Sequence, residues 1–242
     1  MMGWPGQCLL QREGEEAMPI KACIFDAYGT LFDLASATAR CPDIPEPQRA
    51  ALNALWRDKQ LQYTWLRALQ GRYADFHQVT AEALDFALES LNLASPQRHA
   101  ALMALFETLH AFPEVPQMLR ILRQAGLKTA ILSNGTPAML ASSISSAGLE
   151  GLFDEVLSVD PLRTYKTDRR VYQYALDRLG LAADEISFQS SNGWDAHAAA
   201  DFGMRVVWCN RYGQRRERLP GQPAHEVTTL AALPAWLGLN TS

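Results

Sequence analysis

Short apolar runs punctuate the chain at IKACIF (20–25), LKTAIL (127–132), EVLS (155–158), ISFQ (186–189) and RVVWC (205–209). None alternates strictly between apolar and polar residues, which is the pattern of strands buried on both faces of a parallel sheet. Between the later runs, apolar residues fall at helical spacing in PQMLRILRQAG, TPAMLASSISSAG and DRRVYQYALDRLG. Each segment closes on a glycine (Gly126, Gly148, Gly180), as a helix stop does. Repeated strand–helix units predict an α/β fold, a doubly wound Rossmann-like parallel sheet with right-handed crossovers.

One interval breaks the alternation. From about residue 34 to 112 the pattern is helical throughout, in PEPQRAALNALWRDKQLQYTWLRALQGRY, VTAEALDFALESLNL and SPQRHAALMALFETLHAF. That is too much chain for a crossover, so it predicts a helical domain inserted after the first strand. The expected division is residues 18–33 and 113–242 for the α/β core and 34–112 for a helical cap. Residues 1–17, before Met18-Pro19, read as a disordered extension or a misassigned start. They lack the basic stretch followed by a long apolar stretch of a signal peptide.

Composition narrows the partners. Apolar residues make up 48% and charged residues 20% of the 242, enough for a substantial core. The net charge of −4 comes without acidic or basic blocks, which argues against nucleic acid and anionic membranes as partners. Cys8, Cys23, Cys41 and Cys209 are scattered without regular spacing, so neither disulfides nor a zinc site is expected and a reducing cytosol is the simplest location. No apolar run approaches the roughly 18 residues of a membrane span.

Ligands of open α/β sheets bind at the carboxyl ends of the strands. Those ends are polar here: Asp26 after the first strand, Ser133-Asn134-Gly135 after the second, Lys166 beyond the third, and Ser190-Ser191-Asn192-Gly193-Trp194-Asp195 after the fourth. Singly, each is ordinary turn or helix-cap chemistry. On successive strands of one sheet they converge on a single crevice. In the helical interval, Arg57 shares a stripe with Leu61, Trp65 and Ala68, placing a guanidinium on an apolar face where it suits an anion in a closed cleft.

The segments DAYGTLFD, ILSNG, the Lys166 stretch and SSNGWD resemble the four motifs of the haloacid dehalogenase superfamily, and the likeness spans residues 20–235. Within it the chain resembles the L-2-haloacid dehalogenases. Phosphatases of that superfamily carry a second aspartate two residues after the nucleophile and an acidic residue early in the fourth motif that helps hold Mg²⁺. Here those positions are Tyr28 and Ser190/Ser191. A halide leaves as a stable anion and needs no proton, so a general acid would be idle, whereas an apolar wall desolvates the carboxylate and the C–X bond.

The resemblance implies a cofactor-free, metal-independent hydrolase of short (S)-2-haloalkanoic acids, with Asp26 as nucleophile and Arg57 receiving the halide. It implies that Lys166 and Asp195 orient and activate, that Asn192 and Ser190 hold water and ester, and that Tyr172 helps organise Lys166. Tyr28, Leu61, Phe76 and Trp194 would line the substrate pocket. Thr30 and Ser133 would bond the nucleophile or the substrate carboxylate, and Asn134 would lie on the halide side. The resemblance also implies a homodimer. One departure is Lys166-Thr167, where the family usually has Lys-Pro; Thr167 is expected to cap the helix starting at Asp168. The rival readings are a phosphatase of the same superfamily, a hydrolase of another activated small carboxylic acid, and a non-catalytic carboxylate-binding module. Phosphate-ester hydrolysis and halide release separate them.

Overall fold

The first apolar run becomes β1 (Ala22–Phe25), buried along its whole length. A computed structural model describes residues 19–239, so the extension expected at residues 1–17 lies outside the described residues. After β1 come β2 (Phe32–Asp33), α1 (Ala35–Arg40), α2 (Glu46–Gln70), α3 (Phe76–Ser90), α4 (Pro96–Glu107) and β3 (His110–Ala111). The chain continues through α5 (Val115–Gln124), β4 (Lys128–Ser133), α6 (Pro137–Ser146), β5 (Glu155–Ser158), α7 (Arg169–Leu179) and β6 (Ile186–Ser190). It closes with α8 (Gly193–Phe202), β7 (Arg205–Cys209), β8 (His225–Val227) and α9 (Leu233–Trp236).

Six strands form one parallel sheet in the order β5-β4-β1-β6-β7-β8. Central β1 is flanked by β4 and β6, and the winding changes direction there. That change opens a crevice at the carboxyl end of the sheet. Side chains of β1 alternate between two cores. Cys23 and Phe25 face Leu119, Leu122 and Leu140 of α5 and α6, while Ala22 and Ile24 face Val171, Ala175, Ala196 and Ala199 of α7 and α8. Burial on both faces explains why the strands read as continuous apolar runs.

Two features depart from the sequence reading. The interval 34–112, expected to be strand-free, ends in β3, which pairs antiparallel with β2 (Phe32 opposite Ala111, Asp33 opposite His110). This ribbon holds the two ends of the helical segment together; strands of two residues leave no periodic trace. Nor does Thr167 cap the following helix. Asp168 holds that position, its side chain accepting from the Arg170 N–H. A carboxylate beside the helix's positive end serves better than a hydroxyl. The helical segment shares its apolar interior with one face of the sheet, through Trp56, Phe76, Leu84 and Phe106. Cys23, Cys41 and Cys209 are free and buried. Among the described residues no helix is long and apolar enough to cross a membrane.

The loop after β7 packs across the back of α8 at Gly221, whose φ is +77°. A Cβ there would lie 2.2 Å from the His197 carbonyl oxygen and 2.4 Å from the Asp201 nitrogen, both backbone atoms that cannot swing away. Overlap and left-handed strain therefore add in Gly221→Ala, which is expected to lose roughly 2–4 kcal/mol of stability. Chemical denaturation measures it, and a loss below about 1 kcal/mol would mean that this loop does not hold α8.

Candidate active site

Register brings the polar strand ends together. Phe25 lies opposite Ile131 of β4 and Gln189 of β6, so the residues that follow emerge side by side. Asp26 stays in the ladder, its N–H donating to the Gln189 carbonyl at 2.9 Å, and only 6% of its surface is exposed. The chain then turns tightly. The N–H groups of Thr30, Leu31 and Phe32 converge on the Ala27 carbonyl, which returns Thr30 to the aspartate it follows. Thr30 Oγ1 donates to Asp26 Oδ2 at 3.0 Å and accepts from the Ser191 N–H at 2.7 Å.

The two carboxylate oxygens of Asp26 have unequal surroundings. Oδ2 accepts from Thr30, from Asn192 Nδ2 at 2.8 Å and, at a long 3.5 Å, from Ser190 Oγ. Oδ1 accepts from Lys166 Nζ at 3.0 Å. The same ammonium donates to Asp195 Oδ2 at 2.7 Å, and Tyr172 donates to Asp195 Oδ1 at 2.8 Å. Lys166 and Asp195 are 1% and 0% exposed. Burial alone would lower the Lys166 pKa, but Asp195 and Asp26 outweigh it and hold the ammonium above the ordinary lysine value. Burial pushes the Asp195 carboxyl up against the opposing pull of Lys166. The Tyr172 phenol is raised by burial and by Asp195, so it remains a donor.

Asn192 departs from local preference in an informative way. It occupies the N-cap position of α8, where asparagine normally bonds the helix's own N–H groups, yet its side chain makes no such bond. Its amide is spent on the site instead: Nδ2 on Asp26 and Oδ1 accepting from Arg57 Nη2 at 3.2 Å. Arg57 is half-buried on α2, and burial lowers its pKa while Asp26 opposes.

The remaining candidates fall into groups. Tyr28 packs against Phe106, Phe76 and Phe32 at ring-centroid distances of 5.2, 5.7 and 6.4 Å, giving an aromatic wall beside Asp26. The buried Tyr28 hydroxyl lies next to Gly135 and has no hydrogen-bond partner among the described residues. Asn134 Oδ1 accepts from the Lys166 N–H at 3.0 Å and so fixes the lysine's backbone. Ser133 Oγ accepts from the Gly135 N–H at 3.1 Å. Trp194 meets Trp65 edge-on at 5.5 Å, and Leu61 is half-buried one turn beyond Arg57. Tyr172, expected to help organise Lys166, donates to Asp195, which also accepts from Lys166, and packs edge-on against Phe188.

Several residues at the site escaped the sequence reading. Gln60 accepts from Arg57 Nη1 at 2.6 Å, and the signal for it was present: Leu52, Trp56, Gln60 and Thr64 form one buried stripe whose last two members are polar. Arg211 donates to the Thr30 carbonyl at 2.9 Å, pairs with Glu114 at 2.6 Å and covers the Phe112 ring. It follows β7, so the strand-end rule applied to the fifth strand would have reached it.

The architecture and this constellation define a class. A family model described as haloacid dehalogenase-like hydrolase matches residues 20–203, and the chain belongs to that family. Among characterised proteins, the chain is 46% identical over 215 residues to the (S)-2-haloacid dehalogenase of Pseudomonas sp. (strain YL), covering 88% of this chain and 93% of the relative. It is 42% identical to (S)-2-haloacid dehalogenase 1 of Pseudomonas sp. (strain CBS-3), covering 90% and 97%. The solved L-2-haloacid dehalogenase from Xanthobacter autotrophicus with chloropropionic acid covalently bound superimposes with a TM-score of 0.84 at 37% identity, covering 90% of this chain and 98% of that one.

Lys166→Met tests the electrostatics. The isosteric change leaves Asp26 and Asp195 buried without their cation and should cost about 3–5 kcal/mol near pH 8. Without the ammonium the Asp195 carboxyl, already raised by burial, loses the charge that pulls it back down and rises further. A raised folded pKa contributes stability that is present at low pH and lost as pH rises, so the deficit should shrink toward pH 5. Urea unfolding at the two pH values checks this; a pH-independent deficit would contradict it.

Proposed function

We propose that this chain is a hydrolytic dehalogenase that converts short (S)-2-haloalkanoic acids to (R)-2-hydroxy acids through an ester on Asp26. The observation that carries the reading is the unequal treatment of the Asp26 oxygens. Oδ1, with a single donor, keeps lone-pair density for attack on C2; the Oδ1–C2 bond forms as the C–X bond breaks, halide departs with the electron pair and C2 inverts. Oδ2 then becomes the ester carbonyl oxygen, already facing Thr30 and Asn192, with Ser190 behind. Those donors suit the negative charge that develops there when water attacks Cγ.

Asp195 fits the role of base for that water, because burial raises its proton affinity. It takes the water's proton, returns it to the departing alkoxide oxygen, and Asp26 releases the remaining proton as its carboxylate reforms. Lys166 offsets the Asp26 charge between turnovers. Arg57, joined to the nucleophile through Asn192, is placed to receive the halide. The reading treats residues 34–112 as a cap closing an apolar wall of Tyr28 and Phe76 over the reacting carbon. It carries with it the absence of a cofactor, a cytosolic location, no nucleic-acid partner and a homodimer.

A phosphatase of the same family would need Mg²⁺ and an acid for its leaving alcohol. The position two residues after Asp26 is Tyr28, and the gap between Asp26 and Asp195 is bridged by the Lys166 ammonium. The protein should therefore release halide from (S)-2-chloropropionate and not from the (R) enantiomer, at a rate unchanged by excess chelator. Halide release from both enantiomers, or activity that chelator abolishes and Mg²⁺ restores, would overturn this function.

A further inference from the structure

Among the described residues, the Arg57 guanidinium has two protein partners, Asn192 Oδ1 on the sheet side and Gln60 Oε1 on its own helix. Packing alone does not fix its position, since a cavity of about 20 Å³ lined by Trp56, Arg57, Gln60 and Phe106 lies against it. Gln60 is buried, with both ends of its amide engaged: Oε1 by Arg57 at 2.6 Å and Nε2 donating to Thr80 Oγ1 at 2.6 Å. Thr80 Oγ1 in turn donates to the Phe76 carbonyl at 2.6 Å, and the Thr80 carbonyl accepts from Trp56 Nε1 at 2.9 Å.

The direction of this chain is forced from its far end. A backbone carbonyl only accepts, so Thr80 must donate to it and offer a lone pair to Gln60. Gln60 therefore turns its NH₂ toward Thr80 and its oxygen toward Arg57. The reversed amide would set NH₂ against a guanidinium that has donors only. We propose that Gln60 is a positioning residue for Arg57, holding the guanidinium, through the Thr80–Phe76 relay on α3, where it meets the departing halide. The inference rests on the dehalogenase reading above and adds a residue that its motifs do not contain.

An effect exerted through Arg57 has a signature that a loosened fold lacks. The guanidinium acts on charge that appears only as the C–X bond breaks, so displacing it lowers the chemical rate more than substrate affinity. The loss should also be larger for chloride, the poorer leaving group, than for bromide. Single-turnover halide release from (S)-2-chloro- and (S)-2-bromopropionate is measured for wild type, Arg57→Ala, Gln60→Leu, Thr80→Val and Thr80→Ser, with thermal unfolding of each.

Gln60→Leu should slow chloride release about 10- to 100-fold, as a misplaced catalytic group does, and bromide release severalfold less. Thr80→Val should show the same inequality to a smaller degree, and Thr80→Ser, which keeps the hydroxyl, should recover most of that loss. Equal losses for the two halides, or wild-type rates in Gln60→Leu while Arg57→Ala is crippled, would overturn the proposal for Gln60 alone. A wild type that releases neither halide would overturn the underlying dehalogenase reading. Should Gln60→Leu fail to fold, the two Thr80 variants decide the matter by the same inequality.

Discussion

Two carboxylates brought side by side out of water into a protein interior repel each other and stand uncompensated unless a cation is buried with them. The Lys166 ammonium is that cation, standing between Asp26 and Asp195 at 3.0 and 2.7 Å, buried with both. One cation for two carboxylates leaves the group short of positive charge, and that shortage shapes the rest of the site. It keeps the lysine charged, adds through Asp26 to the rise that burial gives Asp195, and recruits Tyr172, Thr30 and Asn192 to satisfy oxygens that the ammonium does not reach. A buried ion cluster of this kind is a poor stabiliser of a fold. Its presence at the direction change of the sheet is better explained by chemistry than by stability.

The fold serves that cluster from two directions. From the sheet come groups with little freedom: Asp26 still bonded into the ladder, Ser190 at the end of β6, and Lys166 whose N–H is held by Asn134. From the helical segment come Arg57, Phe76 and Trp65, which complete the site from above. The β2–β3 ribbon joins the two at the root, and Arg211 braces that root by gripping both the Thr30 carbonyl and Glu114 at the start of α5. Asn192 links the two sources, because one amide touches both Asp26 and Arg57.

How much of this the sequence disclosed depends on the range of each signal. The strands β1, β4, β5, β6 and β7 were legible to within two residues; β1, β4, β6 and β7 are buried almost throughout and leave continuous apolar runs, while the edge strand β5, with Val156 exposed, leaves a shorter one. The β2–β3 ribbon and β8 were not, since two or three residues carry no period. Asp26, Lys166 and Asp195 could be singled out because strand ends in such a sheet point to one place. Their roles came from a family resemblance and not from spacing. Gln60 and Arg211 went unseen for different reasons. Gln60 continues an apolar stripe and bonds Arg57 rather than Asp26, while Arg211 lies just past β7, a strand end that the motifs do not include.

The central claim is that an oxygen of Asp26, and not of water, forms the first bond to the substrate carbon. A single turnover of (S)-2-chloropropionate in ¹⁸O-water, with enzyme in excess, tests it directly. Water that attacks the ester carbonyl leaves its oxygen in Asp26, so mass analysis should find the label in the peptide carrying Asp26 and none in the hydroxy acid of the first turnover. Label in that first product together with an unlabelled Asp26 would mean that water displaces the halide itself, and covalent catalysis by this carboxylate would be contradicted.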